Sequence, residues 1–235
     1  MKLFKNVRRS FIDQKNLKKY LLYAIGEILL VMIGISLAFQ LDNWNENRLK
    51  KNTEISYYQN IREQIIDDKE LILLQIDFNT SYMAEFKYAN EIIETNNRTK
   101  IDTLGLIVRN LTQYSDFDKK GNVYETLVNS GEIKQLKNHE IVNSIRELEE
   151  KYNYVNRMEN IHYDAVMNYV IPAINPNIKL SSGEIQKPEQ LYSYEFQNLV
   201  VSLIQVMTEK NKVYNEVLSE IESIKNLINT ELNKK

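Results

Sequence analysis

Apolar residues recur along most of this chain at intervals of three and four, the spacing that lines one face of an α-helix. Ile55, Tyr58, Ile61, Ile65, Ile72 and Ile76, then Met83, Phe86 and Ile93, keep spacings of three, four or seven and draw a first long stripe. From Ser36 to Leu104 there is neither Gly nor Pro, so nothing in the backbone stops this helix before the loop-like run Thr95-Asn-Asn-Arg-Thr99. Leu104 to Leu111 reads as a short second helix, and the YSDFDKKGN run after it reads as a turn. Val123 to Asn129 predicts a brief helix stopped by Ser130-Gly131, where glycine can take the left-handed cap.

A further long helix is expected from Asn138 as N-cap, with Ile141, Ile145, Leu148, Tyr152 and Val155 on one face. Its pattern continues through Glu159, His162, Val166 and Tyr169 until Pro172 ends it. Pro172, Pro176, Gly183 and Pro188 gather the breakers into one long loop over 172–192. Beyond it, Ser193 can cap a last helix whose positions Phe196, Val200, Leu203, Met207, Lys210, Tyr214, Val217, Ile221, Ile224 and Ile228 alternate four and three, as in coiled coils. Three such stripes need one another. The expected fold is therefore all-α: an N-terminal transmembrane helix continuing into an elongated antiparallel helical bundle with a small helical insert. Tyrosines along the stripes are read as packing rather than as a site.

The transmembrane reading rests on residues 20–41, YLLYAIGEILLVMIGISLAFQL, in which Glu27 is the only formally charged side chain. At about 1.5 Å per residue such a run matches a hydrocarbon core roughly 30 Å thick. Tyr20 and Tyr23 stand at one edge and Trp44 just beyond the other, where amphipathic aromatics anchor a span at the headgroups. The competing readings are a soluble core helix, weakened by the seven cations ahead of the run, and a cleaved signal peptide. The run is longer than the usual apolar core of such a peptide, and Ala38-Phe39-Gln40 is not a small-x-small cleavage site.

Gly26, Gly34 and Ala38 place small residues on one face of this helix, and Glu27 borders it. A carboxylate at this depth is costly unless it meets a partner or water, so Gly26, Glu27, Gly34 and Ala38 are candidate helix contacts within the membrane.

Charge divides the chain in two. Lys2, Lys5, Arg8, Arg9, Lys15, Lys18 and Lys19 outweigh Asp13 and Glu27 before residue 42, giving +5, and with a total of −2 the remainder sums to −7. Cations ahead of the span keep the N-terminus in the cytoplasm, so residues 1–19 form a basic cytoplasmic tail and residues 42–235 an extracytoplasmic helical domain, periplasmic in a bacterium with two membranes. An acidic domain has no general attraction for nucleic acid, and the partners expected are membrane lipid and a protein partner or a second copy held through helices. Six Gly and three Pro exclude an all-β fold. The absence of Cys excludes disulfides, thiolate metal sites and cysteine nucleophiles.

Two constellations bear on chemistry. Glu159-Asn-Ile-His162 has the E-x-x-H spacing of di-iron bundles, but no second such motif exists, because Leu136 stands three residues before His139. It reads as a satisfied histidine beside a surface glutamate. Asp116-Phe-Asp118-Lys-Lys120-Gly121 opens like a calcium loop, yet Lys120 and Leu127 occupy positions that need oxygen ligands, so it reads as a solvated turn. No catalytic, metal or cofactor site is expected, and an enzyme is not expected either.

The string KYLLYAIGEILLVMIGISLAFQLDNWNENR resembles the opening of a family of uncharacterised bacterial single-span membrane proteins, a domain of unknown function. YETLVNSGEIKQLKNHEIVNSIRELEEKY is similar to that family's Y-E-x-L-x-x-S-G segment and the helix after it. The resemblance implies a protein of the bacterial envelope and inner membrane, with no assigned activity and no functional residues to carry over. The expected role is a membrane-anchored scaffold or protein-interaction module. The alternative is an extracytoplasmic ligand-sensing domain coupled through the span to a cytoplasmic partner.

Overall fold

The computed structural model describes Leu17 to Lys234, and of Leu17, Lys19 and Tyr20 only the backbone. Most of the basic tail, and the side chain of the proposed anchor Tyr20, therefore lie outside the described residues. The fold is all-α, as the pattern requires. Helix α1 spans Leu17–Glu94, α2 Ile101–Asn110, α3 Val123–Asn129, α4 His139–Ala165 and α7 Tyr194–Leu232, with single-turn helices α5 (Ile171–Ile174) and α6 (Pro188–Leu191) between α4 and α7. The chain divides into two units between Glu54 and Ile55.

In the first unit the helix carries an apolar window of mean hydropathy 2.2, none of which the described residues bury. Leu22, Leu30 and Phe39 are exposed, as are Gly26, Glu27, Gly34 and Ala38. A Cβ added at Gly26 or Gly34 would meet only open space. Trp44 is exposed, with the Arg48 guanidinium 5.3 Å from its ring centroid, and Tyr23 is half-buried.

The second unit is a three-helix bundle. Cross-helix pairs fix its directions: Arg62 with Asn229, Lys69 with Glu222 and Gln197 with Asn90 run α1 antiparallel to α7. Asn138 with Glu231 and Lys151 with Glu220 do the same for α4 and α7. Local chemistry sets the ends. Asn138 accepts from the Glu140 and Ile141 amides and Ser193 from that of Phe196, so both expected caps form. Gly131 takes φ 76° after α3, as a left-handed cap demands, and α1 ends at Glu94 with Asn96 at φ 48°.

All ten positions of the α7 stripe are buried, Lys210 included. The nine apolar or aromatic ones join two apolar cores. One gathers Tyr58, Ile65 and Ile72 of α1 with Ile141, Leu148 and Val155 of α4, and Val217, Ile221 and Ile228 of α7. The other gathers Phe86 and Ile93 of α1, Leu104 and Val108 of α2, Val166 and Val170, and Val200 and Met207 of α7.

Three expectations fail locally. Pro172 does not end the helix at that point: α4 passes into a π turn over Val166–Val170 and then into α5, with Pro172 in its first turn, where a missing N–H is tolerated. The wider turn adds a residue to the repeat, so Val170 faces the core and Tyr169, expected inside, is 67% exposed. Finally, the loop over 172–192 is not structureless. It holds a two-residue antiparallel pair, β1 (Ile178–Lys179) with β2 (Glu184–Ile185), turned by Gly183 at φ 75°. Gly105 of α2 lies so close that a Cβ there would run into the Gly183 carbonyl oxygen.

Candidate functional site

Between the two cores, each long helix of the bundle turns a polar residue inward. Seven-residue gaps in the α1 stripe skip Asp68 and Asn79, and both are fully buried. On α4 the inward residues are Glu159, 4% exposed, and His162, 0% exposed. On α7 the residue is Lys210, 1% exposed. Glu159 is thus no surface glutamate. It lies in the interior, where an unpaired charge costs several kcal/mol.

What these groups hold is the segment 113–122, which contains the run read as a solvated turn. It is instead a strap whose backbone is fastened by side chains. Phe117, itself buried against Tyr152 with ring centroids 5.4 Å apart, donates its N–H to Glu159 Oε1 at 2.9 Å. Lys210 Nζ donates to the Ser115 carbonyl at 2.8 Å. Further along, the Lys120 N–H reaches Asp68 Oδ1 at 2.8 Å, the Asp116 N–H reaches Gln75 Oε1 at 3.1 Å, and Gln64 grips both the Gly121 carbonyl and the Val123 N–H.

The two carboxylates are built alike. Each accepts one strap amide and one tyrosine hydroxyl: Tyr214 donates to Glu159, and Tyr152 to Asp68 at 3.1 Å. Lys119 anchors the strap's outer side to Glu125 and Glu149.

Burial sets the electrostatics. It pushes the Glu159 carboxyl up to about 7, against the pull of the Tyr214 hydroxyl and the Lys210 ammonium, and it pushes Asp68 up as well. The same loss of water brings Lys210 down to about 8, although Glu159 and Asp116 favour its charge. His162 falls to about 3 through burial first and the Lys210 ammonium second. It is therefore a neutral imidazole whose Nδ1 lies 3.3 Å from Lys210 Nζ, and a ring accepting there carries its proton on Nε2. That Nε2, and Asn79 Oδ1, are buried without a partner among the described residues, so the histidine is not the satisfied one expected. Tyr114 closes over the imidazole edge at 6.2 Å.

The geometry brings together Glu159 and His162 but adds Lys210 and Tyr214, not metal ligands. Among the described residues no group of three or more His, Asp or Glu could hold a metal ion. Chemically the layer can hold or exchange a proton while fixing the strap. The candidate membrane contacts Gly26, Glu27, Gly34 and Ala38 stand on the exposed helix of the first unit, outside this layer. Lys210 and Asp68 were the residues that sequence reasoning missed. Their signals were a cation inside an otherwise apolar stripe and a seven-residue gap in another.

No curated protein and no solved structure matches the chain. A family model, described as a family of unknown function, matches residues 27–201 of the 235. That match takes in the apolar helix from Glu27, the strap, Asp68, Glu159 and His162, and stops short of Lys210. Covering well over half of the sequence, it shows that the chain belongs to the family of unknown function DUF6090.

Proposed function

We propose that this protein is a non-enzymatic, membrane-anchored interaction module of the bacterial envelope: a basic cytoplasmic tail, one span over residues 20–41, and a bundle that holds a protein partner outside the inner membrane. The observation that carries the reading is the separate fate of apolar residues in the two units. The bundle buries its own stripes, whereas the N-terminal apolar window is left uncovered by the other described residues, which favours lipid as its cover. A role without catalysis is supported by Glu159, His162 and Lys210, which are sealed from solvent with the first and last already engaged on the strap backbone. Self-association would use the face of Gly26, Glu27, Gly34 and Ala38.

Purification of the full chain in a mild detergent tests the reading, with a stoichiometric protein partner or a second copy expected and a solitary chain contradicting it. Sidedness is tested on the cysteine-free background. In intact cells an impermeant maleimide should label Asn226→Cys and spare Ser10→Cys, and the reverse pattern would overturn the orientation.

One feature favours the sensing alternative. An interior held by ionisable groups responds to its surroundings in a way that an all-apolar core does not.

A further inference from the structure

Where α4 gives way to the π turn, the seam between that segment and α7 opens into a cavity of about 440 Å³. Its volume is that of a small-molecule site. Ala165, Leu199, Leu203 and Val206 form an apolar floor, each buried or half-buried, and Tyr169, Glu195 and Asn198 stand exposed around it. The floor suits an apolar ligand body, and the rim selects the charge that body carries.

Tyr169 owes its place on the rim to the π turn. In an uninterrupted α-helix it would enter the core, but the added residue turns it out onto the cavity. Turns of this kind are frequent at functional sites, and the face of a tyrosine ring attracts cations. Glu195, in the first turn of α7, lines the same cavity. Its own backbone amide and the Tyr194 hydroxyl hold its carboxyl below the usual carboxylate range, so it presents a negative charge.

The walls are otherwise free of cations. The chain carries 30 Lys and Arg, yet residues 158–178 and 188–209, which contain the whole lining, hold none. Lys210, the next residue along α7, turns inward to the Ser115 carbonyl. Asp164, beside the lining residue Ala165, is exposed and adds a second acid to α4. The amides that begin α7 do not reverse this balance, because Ser193 accepts from Phe196 and Glu195 from its own N–H.

We propose that this cavity binds a small organic cation, an ammonium or quaternary ammonium group carried on an aryl or alkyl body. The body fills the apolar floor, and the charge lies between the Tyr169 ring and the Glu195 carboxylate. This goes beyond the anchoring role and holds whether or not residues 20–41 enter lipid.

Benzyltrimethylammonium, titrated into the full chain in an uncharged detergent and followed by NMR, tests the site. The Asn198 and Ser202 amides should shift saturably, with half-saturation near about 1 mM or below, while the Val217 amide stays in place. Benzyl alcohol and benzenesulfonate, of similar size but without the positive charge, should bind at least about fivefold more weakly. Glu195→Gln and Tyr169→Leu should each weaken the cation about two- to fivefold, and Tyr169→Phe, which keeps the ring, should bind as the unsubstituted chain does. Both positions are exposed, so the fold does not rest on them, and the Val217 amide checks that it is kept. No saturable shift overturns the proposal, and so does a response to the cation that Glu195→Gln leaves unchanged. Equal binding of benzyl alcohol would mark an apolar groove suited to a side chain of a protein partner, and it too overturns the cation site.

Discussion

Apolar side chains of the same kinds lie on the outside of one unit and on the inside of the other. In the first, Leu22, Leu30 and Phe39 stand free on a helix whose faces are apolar all round. In the second, Ile65, Leu148 and Ile221 are sealed between three helices whose opposite faces are polar. The difference teaches that periodicity, more than apolar content, decides where a helix belongs. A stripe asks for neighbouring helices, and a continuous apolar surface asks for a different solvent. The polar layer within the bundle breaks this rule in one place, and there the strap is tied down.

Ile221→Ala should break the comparison most severely on the bundle side, costing about 2–5 kcal/mol for a cavity among the three helices. Leu29→Ala should leave the bundle's urea midpoint unchanged, and equal losses from the two substitutions would erase the distinction between the units. Lys210→Met probes the exception. Removing the cation leaves Glu159 buried with the Phe117 amide and the Tyr214 hydroxyl, at a cost of about 3 kcal/mol between the two groups' values, near pH 7.5. The loss should shrink at pH 6, because Glu159 takes up a proton as pH falls through its raised value. Glu159→Gln combined with Lys210→Met should recover most of the loss, a coupling read from urea unfolding of the four chains.

Gly105→Ala tests packing away from the layer, since its Cβ would push α2 off the Gly183 carbonyl, and about 1–3 kcal/mol is expected. Asn138→Ala is the mildest. It removes the cap that holds two amides of α4 and should lower stability by about 1 kcal/mol.

Much of this architecture could be read from the residues. Caps at Asn138 and Ser193 and the left-handed Gly131 announce themselves through local chemistry, which the tertiary fold does not override. The α7 stripe predicts ten buried positions because three and four alternate without interruption. The π turn could not be read, since nothing in Val166-Met-Asn-Tyr-Val170 distinguishes it from α-helix, and one added residue was enough to turn Tyr169 out and Val170 in. The strap stayed hidden for a different reason. Its partners Gln64, Asp68, Gln75 and Glu159 lie tens of residues away, and a segment tied by side chains carries no periodicity of its own. Glu159 and His162 were visible as a motif, but without Lys210 opposite them they pointed to a metal or to nothing.

Flotation of the full chain with lipid vesicles after a high-pH wash shows whether residues 20–41 hold the chain in lipid. The chain should rise with the vesicles and stay there, and a chain shortened by residues 20–41 should remain behind with its bundle still helical. A full-length chain that stays in the aqueous fraction without detergent, folded and monodisperse, would contradict the anchor and the function proposed on it.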